Sequence, residues 1–453
     1  MQTLIKKYNI QGPRYTSYPT VPYWNSEFFS IKEWKNRLKE QFILTNESEG
    51  ISVYIHLPFC ESLCTFCGCH KRITKRHEVE IPYIETLLKE WNLYTNLLVD
   101  KPIIKELHLG GGTPTFFNEK NLKHLLKSIF EKAILADEAI LSFEGHPNNT
   151  TYEHLKTLQE LGFTRVSFGV QDYNEKVQKA INRIQSFEQV KQVTLWAREL
   201  GYTSISHDII YGLPFQTLDT IKETIELTQK LSPDRISFYS YAHVPWIKGN
   251  GQRGFKDEDL PQNDTKRSLY ELGKQLFSEM NYVEIGMDHF SKKSDTLFQS
   301  YSNGSMHRNF MGYSSSKTSI MIGLGASSIG DTNNSFYQNE KNIEQYTLLV
   351  NNGEFPIIKG HLHTEEDLQL RKTILDIICH FKTNLNELDD FISNEILLER
   401  LEEFLKDELI TIDNNNFLFV TERGKAFVRN ICMAFDQHLI KNQPKTQLFS
   451  MTI

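Results

Sequence analysis

The chain lacks the features that mark membrane, exported or nucleic-acid-binding proteins. Its 453 residues contain no run of eighteen apolar side chains, so we expect no transmembrane helix. The N-terminal stretch has no secretory hydrophobic region, which argues against export. Excess positive charge is also missing. The formal net charge of −7 therefore argues against nucleic acid or anionic membrane as a general partner.

Cysteines are scarce outside one short loop. Four of the six fall within residues 60–69, whereas Cys379 and Cys432 stand alone. A disulfide framework is therefore not expected, and a reducing cytoplasm suits the free thiols. The length and a hydrophobic content of 39% predict an ordinary globular protein of about two or three domains.

The crowded cysteines are Cys60, Cys64, Cys67 and Cys69, directly after a predicted strand. Thiolates at such spacing can hold zinc, copper(I) or an iron–sulfur cluster. Zinc sites usually present two separated ligand pairs, and no second pair occurs here. The C-x3-C-x2-C spacing suits three corners of a [4Fe–4S] cube, leaving one iron open for a cofactor. A zinc knuckle or a group of buried thiols is the competing interpretation.

Six apolar, β-branched runs alternate with helix-period segments. This alternation predicts a parallel sheet with right-handed crossovers, and six units are too few for an eight-stranded barrel. We therefore expect an α/β fold with a partial barrel. Chemistry-bearing residues follow each predicted strand, which places them at one rim. The predicted strands are 51–57, 103–109, 139–143, 164–170, 204–210 and 235–240.

The remaining segments predict two flanking parts. Residues 1–35, rich in aromatics and proline, predict an extended N-terminal arm. Residues 36–355 form the expected catalytic domain. Residues 356–453 combine helical patterns with a hairpin near 409–420, which predicts a mainly helical, winged-helix-like domain. We expect this domain to be a structural lid, because the acidic chain argues against DNA binding.

The cysteine spacing is the signature of the radical S-adenosylmethionine (SAM) enzymes. Further stretches resemble the oxygen-independent coproporphyrinogen III oxidases and extend over nearly the whole chain in one order. The resemblance implies the partial (β/α)6 barrel of the radical SAM type, a [4Fe–4S] cluster and two SAM molecules. The stretches are 12–20, 54–60, 66–69, 107–115, 169–172, 208–214, 307–310 and 429–433.

The resemblance also implies roles for individual residues. Cys60, Cys64 and Cys67 match the cluster ligands, whereas Cys69 is expected near the substrate without ligating iron. Contacts to the cluster-bound SAM match Tyr54, Gly111, Glu144 and Ile329. Contacts to the second SAM match Phe66, Gly112, Thr113, Gln171, Arg183, Asp208 and Ala242.

Two arginines are candidates for substrate carboxylates, and two positions depart from the family pattern. Arg14 and Arg308 carry the planar guanidinium that binds carboxylates in a bidentate way. Met311 stands where the family usually has Gln. After Glu144, the sequence Gly-His-Pro replaces Val-Asp-Pro, which leaves the hydrogen bonding around Glu144 open.

The implied reaction is the oxidative decarboxylation of two propionates of coproporphyrinogen III to vinyl groups, giving protoporphyrinogen IX. A 5′-deoxyadenosyl radical from SAM would start each round, with an electron from reduced flavodoxin or a ferredoxin-type donor. A monomeric cytoplasmic enzyme is expected. The alternatives are a haem-binding chaperone and a radical SAM enzyme with another substrate. The arm at residues 12–20 and Cys69 favour the oxidase.

Overall fold

The computed structural model describes residues 2–24, 26–245, 252 and 254–452. All six predicted strands are present and pair side by side as parallel neighbours, in chain order. Two match the predicted bounds, and the third begins five residues earlier than predicted, at Ile134. The strands are β1 Ile51–Leu57, β2 Ile103–Gly111, β3 Ile134–Gly145, β4 Arg165–Gln171, β5 Ser204–Tyr211 and β6 Arg235–Ser240.

Further strands extend this sheet at both edges or form a separate hairpin. They are β7 Tyr282–Gly286, β8 His289–Lys292, β9 His307–Asn309, β10 Gly312–Ser314, β11 Met321–Leu324, β12 Ile329–Asp331, β13 Ser335–Asn339 and β14 Ile357–Leu362. Over the described residues, the large sheet has the order β14-β13-β12-β11-β1-β2-β3-β4-β5-β6-β8-β7. β9 and β10 form a separate hairpin. Because β1 and β6 pair outward with β11 and β8, the barrel stays open, as predicted.

Helices cover the sheet and form the C-terminal region. Their bounds are α1 Gln2–Tyr8, α2 Ile31–Thr45, α3 Glu80–Leu97, α4 Glu119–Glu131, α5 Tyr152–Glu160, α6 Glu175–Ala180, α7 Phe187–Glu199, α8 Leu218–Leu231, α9 Asn263–Glu279, α10 Thr296–Asn303, α11 Ile343–Asn351, α12 Glu365–His380, α13 Asn394–Lys406, α14 Val428–Met433 and α15 Gln437–Lys441. Within the described residues, no helix combines the length and apolar character that a membrane span needs.

Local sequence explains why the crossover helices form where they do. In α4, Leu122, Leu125, Leu126 and Ile129 recur at helical spacing and are all buried. The side chain of Asn118 accepts a hydrogen bond from the first-turn backbone and starts the helix. The apolar stripe packs into the main core, beside the buried face of the sheet. The strand ends are thereby held at one rim.

The C-terminal region is mainly helical, as predicted. Its three-stranded antiparallel sheet, in the order β15-β17-β16, is formed by Lys382–Asn384, Phe417–Val420 and Ile410–Ile412. A separate apolar core joins these strands to α12, α13 and α14. Leu4, Tyr8 and Ile285 belong to the same core, so segments from elsewhere in the chain complete it.

The N-terminal arm is extended only in part, and the prediction is wrong for its first residues. Helix α1 occupies them, and α2 already begins at Ile31. The reason is tertiary. Leu4 and Tyr8 lie one turn apart, and both are buried in the C-terminal core. The Tyr8 ring packs 5.3 Å from both Phe404 and Phe427, and such packing stabilises a helix that short.

Arg429 fastens the next stretch of the arm to the C-terminal region. Its guanidinium donates to the carbonyls of Gly12, Pro13 (2.9 Å) and Met451 (2.8 Å). A Cβ at Gly12 would lie 2.7 Å from Met433 Sδ, so a larger residue here would require the Met433 side chain to move.

We predict that Arg429→Met loosens the arm. Three main-chain carbonyls lose a charged donor, at a cost of roughly 3 kcal/mol. Limited proteolysis should then cut within residues 9–24 faster than in the parent, and the melting temperature should fall. Arg423→Met is the matched control, since Arg423 is exposed and only 3.5 Å from Glu408. Unchanged protease resistance in the Arg429 variant would contradict this role.

Candidate active site

A cavity of about 280 Å³ lies at the carboxyl ends of the parallel strands. Strand ends that converge on one rim are the usual place for an active site in such sheets. Most of the residues predicted from the sequence line this cavity, although they come from six separate parts of the chain. They are Cys60, Cys64, Phe66, Cys67, Cys69, Gly111, Gly112, Thr113, Glu144, Gln171, Arg183 and Asp208.

The cysteine loop leaves β1 directly into this cavity. Cys60 Sγ lies 3.3 Å from Thr113 Oγ1, and Arg183 Nη1 donates to Cys64 Sγ at 3.7 Å. Lys71 Nζ donates to the backbone oxygens of Cys67 (2.9 Å) and Cys69 (3.2 Å). All four thiols are free. Two cations therefore flank a set of thiols, which suits the negative charge of metal-bound thiolates.

The protonation of these thiols varies with their surroundings. Burial raises the pKa of Cys60 to about 11. A hydrogen bond from Cys69 lowers the pKa of Cys67 to about 6, and Lys71 acts in the same direction. Iron binding requires thiolates and displaces the protons. All four cysteines line the cavity, and Cys69 is the exposed one, so the set can supply the three thiolate ligands of a cluster.

The glycine loop, residues 110–113 at the end of β2, packs directly against the cysteine loop, residues 60–69. Gly112 N donates to Leu57 O at 2.9 Å, and Thr113 N donates to Phe59 O at 3.0 Å. A Cβ on Gly112 would lie 2.7 Å from the Pro58 backbone, and Gly111 adopts a φ of 118°. Glycine is therefore needed here so that two loops can touch. This contact places Thr113 next to Cys60.

Gly111 and Glu144, from β2 and β3, line one side of the cavity, whereas neither Tyr54 nor Ile329 is among the described residues that line it. The Tyr54 ring stacks on His108 at 6.0 Å, and His108 Nε2 lies 3.5 Å from Glu144 Oε1. Tyr54 pairs with Gly323 in β11, and the Gly323 Cα lies against the Ile329 backbone. Tyr54 is thus connected to Glu144 through His108 and to Ile329 through Gly323.

His56, two residues after Tyr54 on β1, orients the Tyr54 side chain. His56 Nε2 lies 3.0 Å from the carbonyl of His70, which can only accept, so Nε2 carries the proton. His56 Nδ1 therefore accepts from the Tyr54 hydroxyl at 3.1 Å. Burial lowers the pKa of His56 to about 4, so the ring is neutral at physiological pH. The pair fixes the orientation of Tyr54.

The opposite side is formed by β4, β5 and the segment after α6. Arg183 Nη2 donates to Gly169 O at 2.6 Å, and Gln171 adopts a φ of 66° at the end of β4. Asp208 Oδ1 accepts from Ser167 Oγ at 2.9 Å. Burial raises the pKa of Asp208 to about 6, so its carboxylate is mostly ionised at pH 7 and protonates below about pH 6.

Ala242 and the two candidate arginines lie beside or behind the cavity. Ala242 follows β6, and its carbonyl accepts from Gln252 Nε2 at 3.0 Å. Arg14 Nη2 forms an ion pair with Asp288 at 3.0 Å. Arg308 is 5% exposed, and its Nε and Nη1 have no hydrogen-bond partner among the described residues. A buried guanidinium in this state is costly unless an anion neutralises it.

Arg308 connects to the cavity through three rings. Tyr239 lines the cavity, and its hydroxyl lies 3.4 Å from His289 Nε2. The His289 ring meets Tyr313 edge-on at 5.4 Å, and Arg308 lies 4.5 Å from the Tyr313 ring centre. Arg308 Nη2 also donates to the Arg14 carbonyl at 3.5 Å. The arginines thus lie behind the wall that Tyr239 forms.

Some of the residues that line the cavity were not predicted from the sequence. Ser167 precedes Gln171 by four positions on β4, and Tyr239 lies near the end of β6. Both follow the two-residue alternation of a strand, and this signal could have found them. Lys71 and His146 lie in loops, where no periodic signal exists.

The two departures from the family pattern lie in different places. Met311 is in the turn between β9 and β10, where its N donates to Asn309 Oδ1 at 2.9 Å. His146 lines the cavity next to Glu144. Burial lowers the pKa of His146 to about 2, with a further contribution from Arg183, so the ring is neutral. His146 Nδ1 accepts from Asn148 N at 3.1 Å.

Comparison with known proteins agrees with this geometry. The profile of the radical SAM superfamily matches residues 54–228. The oxygen-independent coproporphyrinogen III oxidase of Escherichia coli K12 is 34% identical, covering 99% of this chain and 98% of its own. The oxidase of Helicobacter pylori 26695 is 36% identical, covering 97% of this chain and 98% of its own. The solved coproporphyrinogen III oxidase from E. coli, described as a radical SAM enzyme, superposes with a TM-score of 0.89 at 33% identity, covering 97% of this chain and 99% of its own.

We predict that Cys60→Ser, Cys64→Ser and Cys67→Ser each abolish iron–sulfur binding, since each removes one thiolate of the set. Cys69→Ser should keep the full iron content. After anaerobic reconstitution, cluster binding is measured by the iron and sulfide content per chain and by the visible absorption of the cluster. Cys379→Ser is the matched control, because Cys379 is buried in the C-terminal core. Loss of iron from the Cys69 variant would assign that residue as a ligand.

Proposed function

The chain belongs to the oxygen-independent coproporphyrinogen III oxidases of the radical SAM superfamily, and on that premise we propose how its own residues perform the reaction. The substrate is coproporphyrinogen III, two of whose propionates become vinyl groups to give protoporphyrinogen IX. Each propionate loses CO₂, one hydrogen atom to the 5′-deoxyadenosyl radical and one electron to an external one-electron acceptor. The observation that carries this proposal is the cavity at the strand rim, where free cysteines, the glycine loop and Asp208 meet.

The residues present fit a [4Fe–4S] cluster and SAM. Cys60, Cys64 and Cys67 would hold the cluster, which leaves one iron without a protein ligand. When bound, the cluster and SAM supply the 5′-deoxyadenosyl radical that removes hydrogen from a propionate side chain. Arg183, beside Cys64, stabilises negative charge on the thiolates. The protein's remaining task is to position both molecules and to exclude water.

We assign two separate places for SAM. Tyr54, Gly111, Glu144 and Ile329 would hold the cluster-bound molecule, on the side of β1, β2 and β12. The second would contact residues of the cysteine and glycine loops and of the opposite side: Phe66, Gly112, Thr113, Gln171, Arg183, Asp208 and Ala242. The separation of Tyr54 and Glu144 from Gln171 and Asp208 on different strands supports two places. Asp208 is ionised at neutral pH and can attract a cationic group.

Substrate carboxylates would be bound behind Tyr239. Arg308 is the stronger candidate, because its buried guanidinium lacks a carboxylate partner within the described residues. Arg14 lies next to it but already pairs with Asp288. We therefore expect Arg14 to interact with both Asp288 and a substrate carboxylate, with Asp288 neutralising part of its charge. Cys69, exposed at the end of the cysteine loop, would lie near the substrate.

Partners and organisation follow from the same proposal. A reduced flavodoxin or ferredoxin-type protein would supply electrons singly, as the radical chemistry requires. We expect a monomer, and the six free thiols are consistent with the reducing cytoplasm. We divide the chain into the arm at 1–35, the catalytic domain at 36–355 and the C-terminal domain at 356–453, whose first strand, β14, pairs with β13 of the large sheet. The C-terminal domain would act as a lid that holds the arm in place through Arg429.

The deciding experiment is anaerobic. Protein reconstituted with iron and sulfide is reduced and given SAM and coproporphyrinogen III, and products are followed by mass spectrometry. We expect two successive losses of CO₂ and two hydrogens from the porphyrinogen, with 5′-deoxyadenosine formed alongside. Cleavage of SAM with the porphyrinogen left intact would point to another radical substrate. Tight haem binding without turnover would favour the chaperone.

We predict that Arg308→Gln weakens substrate binding without removing the cofactors. Loss of the cation should raise KM for the porphyrinogen about tenfold or more, since charge-assisted hydrogen bonds contribute roughly 1.5–3 kcal/mol. Iron content and SAM binding should equal those of the parent. Lys317→Gln serves as control, since Lys317 is an exposed cation in the segment after β10. An unchanged KM would exclude Arg308 from the carboxylate site.

A further inference from the structure

A second group of potential metal ligands lies away from the cysteine cavity. His361 is on β14, Asp367 is in the first turn of α12 and His438 is on α15. His361 Nε2 lies 3.1 Å from Asp367 Oδ2, and His438 Nε2 lies 2.7 Å from Asp367 Oδ1. One ligand atom from each residue falls within 4.8 Å of the others. Two consecutive elements, β14 and α12, and a helix that lies 71 positions beyond Asp367 therefore bring polar atoms together at one place.

The group is well enclosed but has one open side. The side chains of His361 and Asp367 are 5% and 4% exposed, whereas His438 is 29% exposed. Asp367 is held in place by Thr364, whose N and Oγ1 donate to Asp367 Oδ2 at 2.9 and 2.8 Å. A ligating carboxylate in metal sites is typically oriented by such additional hydrogen bonds. The exposed edge of His438 offers an entry path for an ion.

The spacing matches the needs of a tetrahedral ion. Zinc binds imidazole nitrogen and carboxylate oxygen at about 2.0–2.2 Å, which places neighbouring ligand atoms about 3.4 Å apart. His361 contacts Asp367 Oδ2 at 3.1 Å and His438 contacts Asp367 Oδ1 at 2.7 Å, and one ligand atom from each residue lies within 4.8 Å of the others. Reaching the tetrahedral spacing therefore requires shifts of less than about 1.5 Å. Small side-chain rotations suffice. Each ring would then carry its proton on Nδ1, since Nε2 would face the ion.

We propose that His361, Asp367 and His438 form a binding site for a divalent transition metal ion, with zinc the best fit. The mixed nitrogen and oxygen donors favour zinc over the softer ions that thiolates select. Three protein ligands leave a fourth position for water, next to the exposed edge of His438. The inference depends on the fold alone and holds whether or not the proposed reaction does.

The position of the site indicates what the ion would do. β14 lies at the edge of the large sheet, four strands from β1, whereas α12 and α15 belong to the C-terminal region. The rings of Tyr18 and Tyr23, from the arm, lie 5.8 and 6.5 Å from the His438 ring. An ion here would fasten the C-terminal helices to the sheet edge, under the arm.

The test must separate this site from the cysteine loop, whose thiols also bind zinc. We would use the cluster-loaded full chain, in which iron occupies Cys60, Cys64 and Cys67. Zinc is then titrated against a chromogenic chelator, with total metal measured by mass spectrometry. We expect about one zinc per chain and a higher melting temperature. His438→Gln should weaken binding at least tenfold and abolish the thermal shift. His380→Gln, a half-buried histidine at the end of α12, is the matched control.

A second measurement tests the site independently, in case the His438→Gln variant folds poorly. Cobalt in place of zinc should give visible d–d bands without the thiolate-to-cobalt charge-transfer band that the cysteine loop would add. Asp367→Asn keeps the side-chain shape and should also remove the cobalt bands. Equal zinc affinity in the parent and in His438→Gln would overturn the proposal. The three residues would then be a hydrogen-bond network only.

Discussion

The contact between the glycine loop and the cysteine loop is the constraint on which the site depends. Two backbone hydrogen bonds, Gly112 N to Leu57 O and Thr113 N to Phe59 O, join the loops after β1 and β2. They are possible only because Gly112 has no side chain to strike the Pro58 backbone. The glycines therefore allow the two loops to pack together, and this packing positions the thiols. They also leave room for a ligand. Without this contact, Thr113 would not lie against Cys60, and the cavity would lose one wall.

The parallel sheet then adds residues that are far apart in the chain. Arg183 and Cys64 are 119 positions apart, yet the guanidinium touches the sulfur because β1 and β4 end at the same rim. Burial at this rim changes the chemistry of what it holds. Asp208 is less acidic than in water, and His56 and His146 stay neutral. The cationic groups near the thiols are thus Lys71 and Arg183.

The arm and the C-terminal region act as one unit around this sheet. Arg429 holds the arm backbone, and the arm in turn supplies Arg14, whose carbonyl accepts from Arg308. The same unit encloses His361, Asp367 and His438 at the far edge of the sheet. Residues at both ends of the chain therefore determine how the catalytic sheet is covered, and the buried charge of Arg308 lies where they meet.

The sequence by itself determined the sheet strands, the rim and the cysteine set, because strand alternation and ligand spacing are local properties. It also named most of the cavity lining, from Cys60 to Asp208. It missed helix α1, since Leu4 and Tyr8 become helical only against the C-terminal core. Nor could it place Arg308 behind Tyr239, or join His361 to His438 across 77 positions. Only the tertiary structure decided these, because burial and long-range contacts have no signal in local spacing.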